Sequence, residues 1–133
     1  VIFLSSGMHL SGSADLDGVD FDRDSARSYE DSKLYVTAFA MALAGRRPDA
    51  MAHVVDPGWV PTRMGGPGAP DSLVEGHRTQ EWLATAPASE IRPRSGGYWF
   101  HRRTRQPHPA ALDPAFQDAL LERLAAHTGL TPA

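Results

Sequence analysis

Tyr29-Glu30-Asp31-Ser32-Lys33 opens a long apolar segment, and what stands on either side of it decides the fold. If the segment is helical, Tyr29 and Lys33 are i and i+4 and lie one turn apart on one face. An ammonium one turn from a phenol favours the phenolate, which makes Tyr29 a candidate general acid or base. Tyr-x-x-x-Lys pairs are also common on solvated helix faces, so the pair gains meaning only from its flanks.

The helix is expected from about residue 26 to residue 44. Ala38, Ala40, Ala42 and Ala44 have high helix propensity, and Leu34, Val36, Phe39, Met41 and Leu43 lie nearly all round it. Burial on more than one side follows, by a sheet plus either a second helix or another subunit. Gly45 and Pro48 are its expected stop. Upstream, the run Val1 to Leu4 reads as a buried strand whose carboxyl end is marked by Ser5-Ser6-Gly7. Downstream, Ala50 to Val55 reads as a second buried strand, stopped by Asp56-Pro57-Gly58. Strand, helix, strand is the βαβ unit of a parallel sheet. Ligands of such sheets bind beyond the carboxyl ends of the strands, where Ser5, Ser6 and the Trp59-Val60-Pro61-Thr62 segment would meet.

Between the first strand and the helix, residues 9 to 25 read as a polar, solvated loop. Asp20, Asp22 and Asp24 alternate there in the manner of a calcium loop. The sixth position is Ser25 where a glycine is needed, and the twelfth is Asp31 where a longer glutamate would chelate, so calcium is set aside. No histidine pair has ligand spacing, so no metal is expected. Residues 65 to 70, Gly-Gly-Pro-Gly-Ala-Pro, form a flexible loop suited to a lid. Ser72-Leu73-Val74-Glu75 is a capping box for a helix through about Ala84. Gly96 to Phe100 reads as a third strand, with Arg102, Arg103 and Arg105 as a surface stripe beyond it. Asp113-Pro114 starts a last helix carrying Phe116, Leu120, Leu121 and Leu124, and Gly129 suits its end.

The 133 residues suffice for one small domain and are too few for two. With 13 basic and 16 acidic side chains the net charge is −3, which gives no basic surface for nucleic acid or anionic membrane. No apolar run approaches a membrane span of about 20 residues. The lack of cysteine rules out disulfide and thiolate chemistry and fits a cytoplasmic location. The chain opens without methionine, directly in an apparent strand, so further sequence upstream is expected.

An apolar strand ending in Ser-Ser, a Tyr-x-x-x-Lys helix and an apolar strand ending in Pro-Gly-x-x-x-Thr follow one another in order. In this the chain resembles the C-terminal half of a short-chain dehydrogenase/reductase, over essentially its whole length. The long Ser6-to-Tyr29 interval and the Gly-Gly-Tyr-Trp-Phe strand most resemble the retinol-dehydrogenase-like branch. The resemblance implies an α/β fold, the C-terminal portion of a Rossmann-like doubly wound parallel sheet with three strands and helices. Residues 1–133 would be the catalytic and substrate-binding part of one NAD(P)-binding domain whose N-terminal half is missing. Tyr29 would exchange a proton with the oxygen of a small carbonyl or alcohol substrate while hydride moves to or from the nicotinamide. Ser6, preferred over Ser5 by its place in the motif, would orient that oxygen. Lys33 would hold the nicotinamide ribose, and Pro57, Gly58, Val60 and Thr62 the carboxamide and pyrophosphate side. The resemblance leans slightly to NADP over NAD, while the residue that chooses between them belongs to the family's upstream half, as does its glycine-rich turn. A homodimer through the Tyr29 helix would cover that helix. A non-catalytic ligand-binding or scaffold relic of the same fold is the alternative; a serine hydrolase lacks its Gly-x-Ser-x-Gly elbow.

Overall fold

A computed structural model of the chain describes residues 1–23 and 29–131. Its strands are β1 (Ile2–Leu4), β2 (His53–Asp56), β3 (Gly97–Phe100) and β4 (Arg103–Thr104). Its α-helices are α1 (Tyr29–Arg46), α2 (Leu73–Thr85) and α3 (Pro114–Thr128), and the described residues add short 3-10 turns after β1, after α2 and before α3. The sheet runs β1-β2-β3-β4, with the first three strands parallel and β4 antiparallel to β3. This is the α/β, mostly parallel open sheet expected of a Rossmann-like fragment.

Strand alternation divides the core. Phe3, Val54 and Tyr98 stand side by side in register and pack with Ala40 and Met41 of α1. Their neighbours Ile2, Val55 and Trp99 turn to the other face and pack with Leu83 of α2 and with Ile91. A period-two pattern covered on both faces is what makes these strands read as continuous apolar runs. A third cluster lies outside the sheet, where Leu34, Tyr35 and Ala38 of α1 meet Phe116 and Leu120 of α3. Leu34 and Leu120 are wholly buried there, each contributing roughly 1.5–3 kcal/mol. The apolar circumference of α1 is thus explained by a sheet on one side and a helix on the other.

Local rules hold at the helix ends. Ser72 accepts a hydrogen bond from the Glu75 amide at 3.1 Å. Asp113 accepts from the Ala115 amide at 3.0 Å, and Gly129 ends α3 in the left-handed region with φ 72°.

Several expectations need correction. Gly45 does not stop α1 but lies within its last turn, and the helix runs to Arg46, two residues before Pro48. The expected start near Ala26 lies outside the described residues. The second strand begins at His53 and includes Asp56. There are four strands and not three among the described residues, because the arginine stripe contains β4. His101 and Arg102 make the two-residue hairpin turn with φ 48° and 61°, the mirror-image geometry that matches strand twist. The Arg102 amide donates to Thr79 Oγ1 at 3.1 Å, which ties the turn to α2. Nor is the 9–25 segment simply solvated: Gly7–Ser11 form a 3-10 turn with His9 fully buried, and Leu16 joins the α1–α3 core. Of the acids weighed for calcium, Asp24 lies outside the described residues, as does Ser25. Asp31 accepts from the Ser13 amide at 2.7 Å.

Candidate active site

The carboxyl end of β1 and the first turn of α1 are fastened together by polar contacts. Ser5 is buried, and its single hydroxyl proton goes either to Thr37 Oγ1 at 2.8 Å or to the Lys33 carbonyl at 3.2 Å. Thr37 Oγ1 donates to the same carbonyl at 2.8 Å. Lys33 Nζ in turn donates to the Leu4 carbonyl at 3.2 Å and stands 5.6 Å from the centre of the Tyr29 ring. That contact brings the tyrosine and the lysine onto one turn, with the cation held at the strand end. Tyr29 is 41% exposed, so solvent or a ligand can reach it. One N–H of the ammonium is spent on Leu4, which leaves two for a diol or other acceptor.

The two serines differ in availability. Ser5 is committed to the bracket between β1 and α1. Ser6 is half-buried, and its Oγ accepts from the Met8 amide at 3.2 Å, so its own proton is left to donate outward.

The second edge of the site follows β2. The Ser5 amide donates to the Val55 carbonyl at 2.8 Å, which sets the ends of β1 and β2 side by side. Asp56 Oδ1 accepts from the Gly58 amide at 2.9 Å, and Gly58 takes the left-handed conformation with φ 84°. A side chain at Gly58 would also strike the Asp71 carboxylate at 2.7 Å. The Val60 carbonyl accepts from the Thr62 amide at 2.8 Å, and Thr62 Oγ1 from the Gly65 amide at 3.2 Å. Pro57, Gly58, Val60 and Thr62 thus belong to one folded-back loop. The loop is braced more than its glycines and prolines imply. Trp59 and Asp71 exchange hydrogen bonds at 2.7 and 2.9 Å, and the Trp59 indole donates to the Gly65 carbonyl at 2.8 Å.

Beneath these loops lies a polar group that the sequence reading passed over. His9 Nδ1 lies 2.8 Å from the Ser6 carbonyl, and Nε2 accepts from the His108 amide at 3.0 Å. Its ring meets Tyr98 edge-on at 4.9 Å. Burial, above all, holds the His9 pKa below its usual value. Burial, with the Asp56 charge nearby, pushes the Tyr98 phenol up to about 12. The Asp56 carboxylate also approaches Gly7, where a Cβ would stand 3.0 Å from Oδ2. The signal available in the sequence was spacing alone: His9 follows Ser6 by three residues, one 3-10 turn.

The donor set fits the nicotinamide end of a dinucleotide: two N–H groups on Lys33, one hydroxyl on Ser6 and the exposed Thr62. Among the described residues no strand passes through a short glycine-rich turn directly into a helix to cradle a pyrophosphate, since the glycine-rich segment after β2 is a long loop.

No protein-family model and no solved structure matches the chain. Curated proteins do. The chain is 32% identical to the Streptomyces sp. (strain C5) protein named "Putative daunorubicin C-13 ketoreductase DnrU", over 98% of this chain and 50% of that protein. It is 31% identical to the short-chain dehydrogenase chry4 of Gibberella zeae, over 77% of this chain and 39% of that protein. It is 30% identical to the uncharacterized oxidoreductase AN7799 of Emericella nidulans, over 91% of this chain and 46% of that protein. The chain spans half the length of these relatives, or somewhat less. With these likenesses joined to a parallel βαβ unit that carries Ser6, Tyr29 and Lys33 in order, the chain belongs to the short-chain dehydrogenase/reductase superfamily.

Proposed function

We propose that residues 1–133 are the C-terminal, catalytic and substrate-binding part of a single Rossmann-like domain. The protein that carries them is a NAD(P)-dependent oxidoreductase acting on a carbonyl or secondary alcohol. The observation that supports this best is Lys33 Nζ, which sits at the Leu4 carbonyl and 5.6 Å from the Tyr29 ring, so that one cation serves both strand end and phenol. The bound nicotinamide supplies or takes the hydride. Tyr29 delivers a proton to the substrate oxygen in reduction and removes it in oxidation. Ser6 donates its hydroxyl proton to the same oxygen and fixes its direction. Lys33 stands beside the Tyr29 ring and offers its remaining donors to the ribose diol.

Pro57, Gly58, Val60 and Thr62 line the carboxamide and pyrophosphate side, and NADP is slightly preferred to NAD on family resemblance. The interval from Ser6 to Tyr29 favours the retinol-dehydrogenase-like branch. The ketoreductase name of the Streptomyces relative favours ketone reduction as the working direction. A homodimer through α1 would cover the apolar groove that Phe39 and Leu43 form with Leu121 and Leu124 of α3. Among the described residues no helix is long and apolar enough to cross a membrane, which accords with the proposed cytoplasmic location.

The test is Tyr29→Phe in the intact protein, assayed with NAD(P)H and a ketone panel. Turnover should fall by roughly 10²–10⁴-fold while cofactor affinity stays near that of the unmodified protein. Unchanged turnover sinks the mechanism. Cofactor binding without turnover in the unmodified protein would favour the scaffold reading instead.

A further inference from the structure

His9 has partners that leave no freedom in its proton. The His108 main-chain N–H can only donate, so His9 Nε2 must be the acceptor. The Ser6 carbonyl can only accept, so the proton is on Nδ1. Rotating the ring by half a turn would place carbon atoms at both positions and forfeit both bonds. The residue is fully buried, its face closed by the edge contact with Tyr98. One residue along from Ser6, Gly7 lies against Asp56, where even a methyl group would stand 3.0 Å from the carboxylate. Ser6 is therefore held on both sides: by His9 at its carbonyl and by the tight Gly7–Asp56 approach at the next peptide.

We infer that His9 is a positioning residue for Ser6, a neutral Nδ1–H imidazole that fixes the Ser6 peptide and so aims the Ser6 hydroxyl. The His108 amide selects the tautomer. It reaches His9 from 99 residues away in sequence, so the 3-10 turn before α3 sets the geometry at the end of β1. This inference rests on the proposed role of Ser6, but half of its test does not depend on activity.

That half reads the Met8 amide, whose acceptor is Ser6 Oγ. In the intact, isotope-labelled protein, His9→Phe should speed Met8 hydrogen exchange roughly tenfold relative to core amides of α3 such as Leu120. His9→Asn, which keeps a donor near the Nδ1 position, should restore most of the protection. Long-range nitrogen–proton correlation on the unmodified protein should show His9 protonated at Nδ1 alone. The second half is kinetic. His9→Phe should lower kcat by roughly 10- to 100-fold with KM for the cofactor unchanged, and His9→Asn should recover much of the loss. Unaltered Met8 exchange in a folded His9→Phe variant, or an Nε2-protonated ring, overturns the inference. Where His9→Phe does not fold, the ring tautomer and the His9→Asn exchange decide it by the same criteria. An unmodified protein with no turnover would sink the proposed function alone, and the exchange measurements would still decide the positioning role.

Discussion

His9 and His53 solve one chemical problem at opposite ends of the sheet. Both are buried, 0% and 4% exposed, and burial lowers the pKa of each. Both are neutral because their partners fix the proton. His53 donates through Nε2 to the Arg94 carbonyl at 3.0 Å and accepts at Nδ1 from the Trp99 indole at 3.1 Å. His53 opens β2 and Arg94 lies just before β3, so His53 closes the floor of the fold and touches nothing proposed for catalysis. His9 does the same work at the carboxyl edge, where its acceptor is Ser6. A satisfied core histidine gains a functional consequence only from the edge at which the topology leaves it.

The sharpest way to break this comparison is to damage the floor and watch the edge. A Cβ at Gly97 would stand 2.3 Å from the Trp99 indole nitrogen and 3.1 Å from His53 Nδ1. Gly97→Ala should therefore cost about 1–3 kcal/mol in urea denaturation, by evicting the indole from its bond. The His9 tautomer should not change in that variant. A His9 ring that responds would show that the two ends are coupled and not separate.

Proton linkage sharpens it next. Each histidine has its folded pKa below the unfolded value, so the unfolded chain binds more protons as acidity rises. Their stabilising contribution is fully present above about pH 6.5 and declines as pH falls below it. Tyr98 works the other way: with its folded value raised to about 12, stability declines as pH rises from 10 toward 12. Thermal melts should show a plateau between these limits, and proton NMR should find both imidazoles neutral at pH 6.5. Either ring charged at that pH would undo the equivalence. The smallest effect is expected at the hairpin. Arg102→Gly relieves a left-handed non-glycine residue and keeps the amide bond to Thr79, so stability should rise by up to about 1 kcal/mol in the same melts. A loss would mean that the arginine side chain holds the turn.

Where the fold could be read from the chain, the signals were local. Ser72 and Asp113 cap through amides two or three residues away, Gly129 needs only its own φ, and β1, β2 and β3 declare themselves as apolar runs. The Tyr29–Lys33 pair was legible for the same reason, since helical spacing alone puts both on one turn. What escaped depended on distant partners. His9 is buried because the 108 peptide comes to meet it, and His53 because Trp99 folds back across Gly97. Asp56 read as a strand stop, yet it closes the Gly58 turn and crowds Gly7. The hairpin at His101-Arg102 carries none of the glycine or asparagine that usually marks such turns, so β4 left no trace among the arginines.

The bracket at the Lys33 carbonyl has a mechanical consequence. Ser5 Oγ reaches the Lys33 carbonyl and the Thr37 hydroxyl, while the Lys33 side chain reaches back to Leu4. The strand end and the start of α1 are thus fastened in both directions. Because the Ser5 amide also ties the end of β1 to β2, the Tyr29–Lys33 turn inherits its place from the sheet and not from the loop before it.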